Sequence, residues 1–412
     1  MERVLNIIIG LILLNNFYYL SFFVGIDYGW VLIGTAVVSF LFFVKACVFA
    51  KQSFYFLFYN SALTLIVASI AILSIILLLV QPHDAEQRDF NDLIRMLIVY
   101  FYFGWTALKF GYTPTFKKHL LQIVFISLII TIPLAFFESY LPGIFGIMFK
   151  EGKQFDETTW WRRVGGTIRD PNAYACLMII YAYFLYNYYL KFKRYCLLVV
   201  LLLVTLYLVN LSGSRQGFLL FFILIAFIFY DLKLSTPQQI KVIVVSCLMA
   251  VAFISYSFFS KSEVDSVVDR VLKENTNAEN SSEDRVQSLI NGVNFSISEY
   301  NGLYGPGAIL FTGFWTQKFP DQYTDVAAHN AFIYHFSQFG IWCLFIYWGL
   351  WITFKKAYTY NKLEVALLFF IIIFFLSNIL FYGVGLLFVW YLDVIGFQHI
   401  LARKALSAQQ YT

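Results

Sequence analysis

Arginines set among glycines and serines, and one histidine at the edge of an apolar run, are the residues of this chain best suited to chemistry. Ser212-Gly213-Ser214-Arg215-Gln216-Gly217 is a very short polar turn between two apolar runs. Its small residues leave room for a phosphate to approach the backbone. A charge at the centre of a bilayer costs at least ~2.5–3.5 kcal/mol, and less near its surface. Arg215 has few ways to reach water from so tight a turn, so it calls for a partner. A second group is Arg162, Arg163 and Arg169, in Trp160-Trp161-Arg162-Arg163-Val164-Gly165-Gly166-Thr167-Ile168-Arg169-Asp170-Pro171-Asn172-Ala173. Crowded arginines suit an anion, whose oxygens the planar guanidinium binds in pairs. The plainer alternative is a solvated loop with Trp160 and Trp161 as an interfacial anchor. Asp170-Pro171-Asn172 has the polar cap and first-turn proline of a helix entry.

The third group lies in residues 281–336, within the longest polar interruption of the chain. Ser281 with Asp284 three residues on fits a capping box, and Glu283 and Asp284 favour the positive end of a helix. Val286, Leu289, Ile290, Val293 and Ile297 fall at helical spacing, which predicts an amphipathic helix on or near a membrane. Arg285 lies off that stripe. Gly305-Pro306-Gly307 is a turn, and Ala328-His329-Asn330 opens the next apolar run. A neutral imidazole near pH 7 can accept or orient a hydroxyl proton, although a lone histidine is more often structural. His335 lies about 240° round a helix from His329, so the two do not form a metal pair. Paired carboxylates of the glycosidase kind stay open as an alternative, since external acids are plentiful.

The elements that must position these groups are apolar helices. Charged residues are only 13% of the chain, against about 25% in a soluble domain. Mean hydropathy is +0.72. Long apolar runs, not alternating ones, predict an all-α polytopic membrane protein. Spans are expected at 4–24, 29–49, 54–80, 93–110, 119–137, 173–190, 196–211, 217–231, 242–259, 329–353, 363–378 and 383–401, about twelve in all. The first is read as a retained span, not a cleaved signal. With the N-terminus cytoplasmic, every cytoplasmic connection carries a cation, while Glu2, Asp231 and Glu364 are the acids there. That obeys the positive-inside rule and puts both termini in the cytoplasm. The chain then divides into N-terminal helices (1–137), an external loop (138–172), central helices (173–259), a large external loop (260–328) and C-terminal helices with a tail (329–412).

Cys47, Cys176, Cys196, Cys247 and Cys343 lie in or beside apolar runs. They read as small buried hydrophobes, with neither a disulfide framework nor a metal site expected. No cofactor is expected. The basic balance encodes orientation, not nucleic-acid binding. No G-x-x-x-x-G-K-[ST] pattern occurs, which argues against ATP-driven transport by this chain alone.

The residues resemble those of the bacterial O-antigen polymerase and O-antigen ligase superfamily. Ser212-Gly213-Ser214-Arg215-Gln216-Gly217 is similar to its S-R-[GQ]-G/A signature. Ser282 to Arg285, Gly305-Pro306-Gly307 and Ala328-His329-Asn330 look like its large periplasmic loop, and Asp170-Pro171-Asn172-Ala173 looks like its upstream G-x-x-x-[DN]-P-N segment. The match covers roughly residues 160–350. It implies a metal-independent glycosyltransferase with a GT-C-like fold and a periplasmic loop containing short helices. Its donor would be an oligosaccharide on undecaprenyl pyrophosphate, at the outer face of the bacterial inner membrane. Carried over, Arg215 and Arg285 hold the pyrophosphate and His329 assists the acceptor hydroxyl. The polar neighbours Arg162, Arg163, Arg169, Asn172, Ser214 and Asn330 are expected to contact substrate. The bilayer, a chain-length regulator and a flippase of the same pathway are the expected partners.

A polymerase is preferred over a ligase that moves finished glycan to lipid A core, because the arginine-rich loop can grip a second lipid-linked chain. A lipid-linked oligosaccharide flippase is the reading from another class. It would carry charges through a central cavity and show related halves. Here ionisable residues within spans are sparse, Arg95 being the clearest. Labelling of Ser282→Cys by a membrane-impermeant thiol reagent from outside tests the orientation; labelling only from the cytoplasm would reverse it.

Overall fold

The computed structural model describes residues 2–13, 27–50, 61–80, 90–110, 114–140, 164–166, 171–191, 195–231, 276–319 and 330–358. All regular structure among them is helical. The helices, in chain order, are α1 (Glu2–Leu13), α2 (Tyr28–Ala50), α3 (Ser61–Val80), α4 (Asn91–Phe110), α5 (Pro114–Tyr140), α6 (Pro171–Lys191), α7 (Tyr195–Leu211), α8 (Arg215–Asp231), α9 (Thr276–Tyr300), α10 (Gly307–Lys318), α11 (Ala331–Phe339) and α12 (Cys343–Tyr358). Helices α2 to α8 occupy the apolar runs read from the sequence. The runs at 242–259, 363–378 and 383–401 lie outside the described residues.

Two described helices are long and apolar enough to cross a membrane, over Tyr28–Val48 and Leu121–Tyr140. Shorter apolar helices cover Thr64–Val80, Leu93–Tyr102, Leu197–Leu211 and Gln216–Ile228. Large apolar side chains on their outer faces, such as Trp30, Leu79 and Val200, are well exposed. Exposed apolar side chains on long apolar helices suit contact with lipid or another apolar partner.

The chain forms two compact units. One comprises Leu14–Gly25 and His119–Ala278. In it α6 and α8 run parallel, with α7 antiparallel between them in sequence. Ala175 meets Gly217 near their starts, while the Tyr186 hydroxyl donates to Asp231 Oδ2 (2.6 Å) near their ends. A β-carbon on Gly217 would lie 2.4 Å from that of Ala175, so this crossing tolerates no side chain.

The other unit comprises Met1–Leu13, Ile26–Lys118 and Glu279–Thr412. Helices α2 and α4 pack through aromatic pairs, among them Phe40–Phe101 and Phe42–Trp105. α3 packs against α12 and α10. A cluster of Phe295, Phe311 and Trp315, flanked by Tyr300, Phe314, Phe319 and Tyr334, joins α9, α10 and α11.

Three local expectations change. The helix containing Ser281 starts earlier, at Thr276, so Ser281 and Asp284 lie within it and form no capping box at its start. The expected apolar stripe of α9 is not its buried face: Ile290 and Ile297 are exposed, whereas Ser288, Gly292, Phe295 and Ser296 are buried. Small residues win because α11 comes so close. A β-carbon on Gly292 would lie 2.8 Å from Ile333 Cγ2, and the Ser337 hydroxyl reaches the Gly292 carbonyl at 3.0 Å.

The third change is in the expected 329–353 run, which is not one helix. α11 ends at Phe339, and a single 3-10 turn over Gly340–Trp342 leads into α12. Gly340 has φ +58°, and a β-carbon there would lie within 2.5–2.7 Å of the backbone of residues 302–304. The Ile341 amide donates to the Gly302 carbonyl (2.9 Å) across the same contact. Gly340→Ala should therefore cost at least ~2 kcal/mol, from a left-handed backbone plus overlap. Gly34→Ala in α2, where nothing lies within 4 Å of the new methyl, should be neutral or stabilising by roughly 0.5–1 kcal/mol. Thermal unfolding of both variants in detergent checks the contrast; equal midpoints would contradict it.

Candidate functional site

The turn that carries Arg215 is built by its own serines. The Ser212 hydroxyl donates to the Val209 carbonyl, and Ser212 Oγ accepts from the Ser214 amide (3.2 Å). Gly213, at φ +60°, reverses the chain. Ser214 Oγ then accepts from the Gly217 amide (3.1 Å), which makes Ser214 the N-cap of α8. Arg215 is the first residue of that helix. The positive end of the α8 dipole and the arginine thus coincide in the chain. Ser212 and Ser214 are fully buried, so Ser214 serves the helix start first.

The same end of the unit gathers three other helix ends. The Tyr140 and Tyr207 hydroxyls, on α5 and α7, are 2.7 Å apart. Phe136 stacks on Tyr207 with ring centres 5.4 Å apart. Asn172, the second residue of α6, is half-buried there. Between these ends runs the short segment 164–166. The Val164 amide donates to the Leu211 carbonyl (3.1 Å), the last residue of α7 before the serine turn. The Gly165 and Gly166 amides donate to the two carboxylate oxygens of Glu138 on α5, at 3.3 and 2.9 Å. Gly166 has φ +52° and packs against the buried Tyr174 ring, where a β-carbon would come within 2.3 Å.

In the other unit, Arg285 lies in α9, seven residues before Gly292. The Asn330 side chain accepts from the Phe332 (2.9 Å) and Ile333 (3.2 Å) amides and so caps α11. α9 and α11 run in the same sense where they cross. Gly292 meets Ile333, the Ser296 hydroxyl donates to the Phe336 carbonyl (3.3 Å), and Gly302 meets Gly340. Arg285 and Asn330 therefore both lie upstream of this crossing. Downstream, burial pushes the Tyr300 phenol up to about 12, with Glu299 and Tyr304 adding to the shift. Lys318 and Glu299 form an exposed ion pair at 2.6 Å. His335 is buried, with Nδ1 3.1 Å from the Tyr347 hydroxyl.

His329, Arg162, Arg163 and Arg169 lie outside the described residues. Arg215 belongs to one unit and Arg285 to the other. Among the described residues no three His, Cys, Asp or Glu side chains group as a metal site.

Sequence reasoning missed Glu138 and the backbone of 164–166. One signal was present. An acid in the last turn of a helix opposes the dipole, so Glu138 near the end of α5 needs compensation from elsewhere. Comparison with known proteins finds no matching family model, curated protein or solved structure.

Loss of the cap in Ser214→Ala should destabilise the protein by about 1 kcal/mol, and Ser214→Gly should cost only roughly 0.3 kcal/mol. Thermal unfolding in detergent reads the difference. If both variants match the parent, the hydroxyl does not support α8.

Proposed function

We propose that the chain is an O-antigen or related surface-polysaccharide polymerase, which joins undecaprenyl-pyrophosphate-linked repeat units at the periplasmic face of the bacterial inner membrane. In this reading it is a GT-C-like protein of about twelve spans with both termini cytoplasmic. The observation that carries it is the placement of Arg215 on the first turn of α8, directly after a serine-capped turn. Other helix ends of the same unit meet there. A pyrophosphate is held by cationic forks and favoured at the positive end of a helix dipole, and this turn brings an arginine to the start of α8.

In the proposed reaction an acceptor hydroxyl attacks the anomeric carbon of the donor sugar. The bond from that carbon to the pyrophosphate oxygen breaks, the electron pair leaves with undecaprenyl pyrophosphate, and the hydroxyl proton passes to the His329 imidazole or to water. Arg215 and Arg285 stabilise the charge that grows on the leaving oxygens. Direct displacement inverts the anomeric centre. The donor arrives already activated by its leaving group, so no nucleotide is required. The external arginines at 162, 163 and 169 would hold the second lipid-linked chain.

Single Arg215→Ala, Arg285→Ala and His329→Ala variants, expressed in a strain lacking the gene, test this. Each should lower polymer formation by ~10²-fold or more, the scale of losing one preorganised charge-stabilising group. The surface glycan should fall to single repeat units on the core. Normal chain length from all three well-expressed variants would overturn the mechanism. No glycan on the core, with polymer left on the lipid carrier, would instead identify a ligase.

A further inference from the structure

The Glu138 carboxylate is out of place by simple electrostatics. It lies near the C-terminal end of α5, where the dipole disfavours negative charge. It also shares the unit end that carries the Arg215 turn, where an anion is proposed to bind. Its two oxygens are occupied by the Gly165 and Gly166 amides, at 3.3 and 2.9 Å. The 2.9 Å bond to the Gly166 amide has the length of a strong charge-assisted bond, and the 3.3 Å bond to Gly165 is weaker.

Two further constraints meet at the same three residues. Gly166 is held at φ +52° with no space for a side chain, because the Tyr174 ring fills it. The adjoining Val164 amide donates to Leu211, the residue before the serine turn. A continuous path of hydrogen bonds and peptide links thus runs from Glu138 through 166, 165 and 164 to Leu211 and into Ser212-Gly213-Ser214-Arg215. The Tyr174 hydroxyl, on the ring that backs Gly166, is fully buried and has no hydrogen-bond partner among the described residues. The ring therefore holds the glycine by packing, and the carboxylate supplies the polar hold.

We infer that Glu138 is a positioning residue for the Arg215 turn: its carboxylate fixes segment 164–166, which braces the end of α7 and sets the turn that receives the lipid pyrophosphate. This rests on the proposed function. It adds a residue that touches no substrate and acts through backbone. The carboxylate accepts from two backbone amides and so contributes geometry to the site.

The test uses the full chain in detergent micelles, with undecaprenyl pyrophosphate as the probe and hydrogen exchange as a second readout. Glu138→Ala should weaken probe binding by about tenfold, the scale of losing one hydrogen bond to a charged acceptor. It should also lose amide protection in peptides covering 164–166 while α6 and α8 stay protected. Glu138→Gln keeps one acceptor oxygen and should fall between Glu138→Ala and the parent in both readouts. That partial rescue separates positioning from general destabilisation, and it covers the case in which the alanine variant fails to fold. Parental binding by Glu138→Ala, or parental protection of 164–166, would overturn the inference while Arg215→Ala still abolishes binding. If the parent itself does not bind the probe, or Arg215→Ala binds normally, the pyrophosphate reading fails and this role falls with it.

Discussion

Backbone amides at the end of an apolar bundle must find acceptors where water is scarce, because a buried unpaired N–H costs about 1–3 kcal/mol. Three side chains meet that demand around the Arg215 turn, the first being Ser212, which takes the Ser214 amide. Ser214 takes the Gly217 amide and starts α8. Glu138 takes the amides of Gly165 and Gly166. The glycines follow from the same demand. Gly166 lets the segment lie on Tyr174, and Gly217 lets α6 and α8 close to contact at Ala175. With these groups in place the turn can be tight, polar and held at a defined end of its unit.

The second unit meets a comparable demand with different means. α9 offers α11 a face of serine and glycine, and Ser296 and Ser337 donate to carbonyls across the crossing. Gly340 breaks the following run, so that residues 302–304 can dock against the break. The aromatic cluster of Phe295, Phe311 and Trp315 then fixes α10 against both. The helix carrying Arg285 and the helix that starts just after His329 thus belong to one packed assembly.

Much of this was legible from residue order. Apolar run length located α2 to α8, because a helix long enough for a bilayer must be uniformly apolar. The serine-glycine turn and its arginine were visible because polar residues between apolar runs have few structural uses. The stripe of α9 misled, since Val286, Leu289, Ile290, Val293 and Ile297 obey helical spacing while the neighbouring helix selects the small face instead. The break at Gly340 was hidden inside an apolar run, where a glycine gives no sign of which backbone will approach it. Glu138 was hidden for a related reason. Its partners are backbone amides far along the chain, and amides have no sequence signature.

Glycosyl transfer itself is measured most directly with purified full-length protein and lipid-linked repeat units in detergent, with chelator present. The products are separated by chain length and the released lipid is assayed. The proposed function predicts glycans of two or more repeat units and one undecaprenyl pyrophosphate released per bond formed, with both products lost in Arg215→Ala. Unchanged repeat units and no released lipid, from protein that still binds the lipid donor, would contradict it.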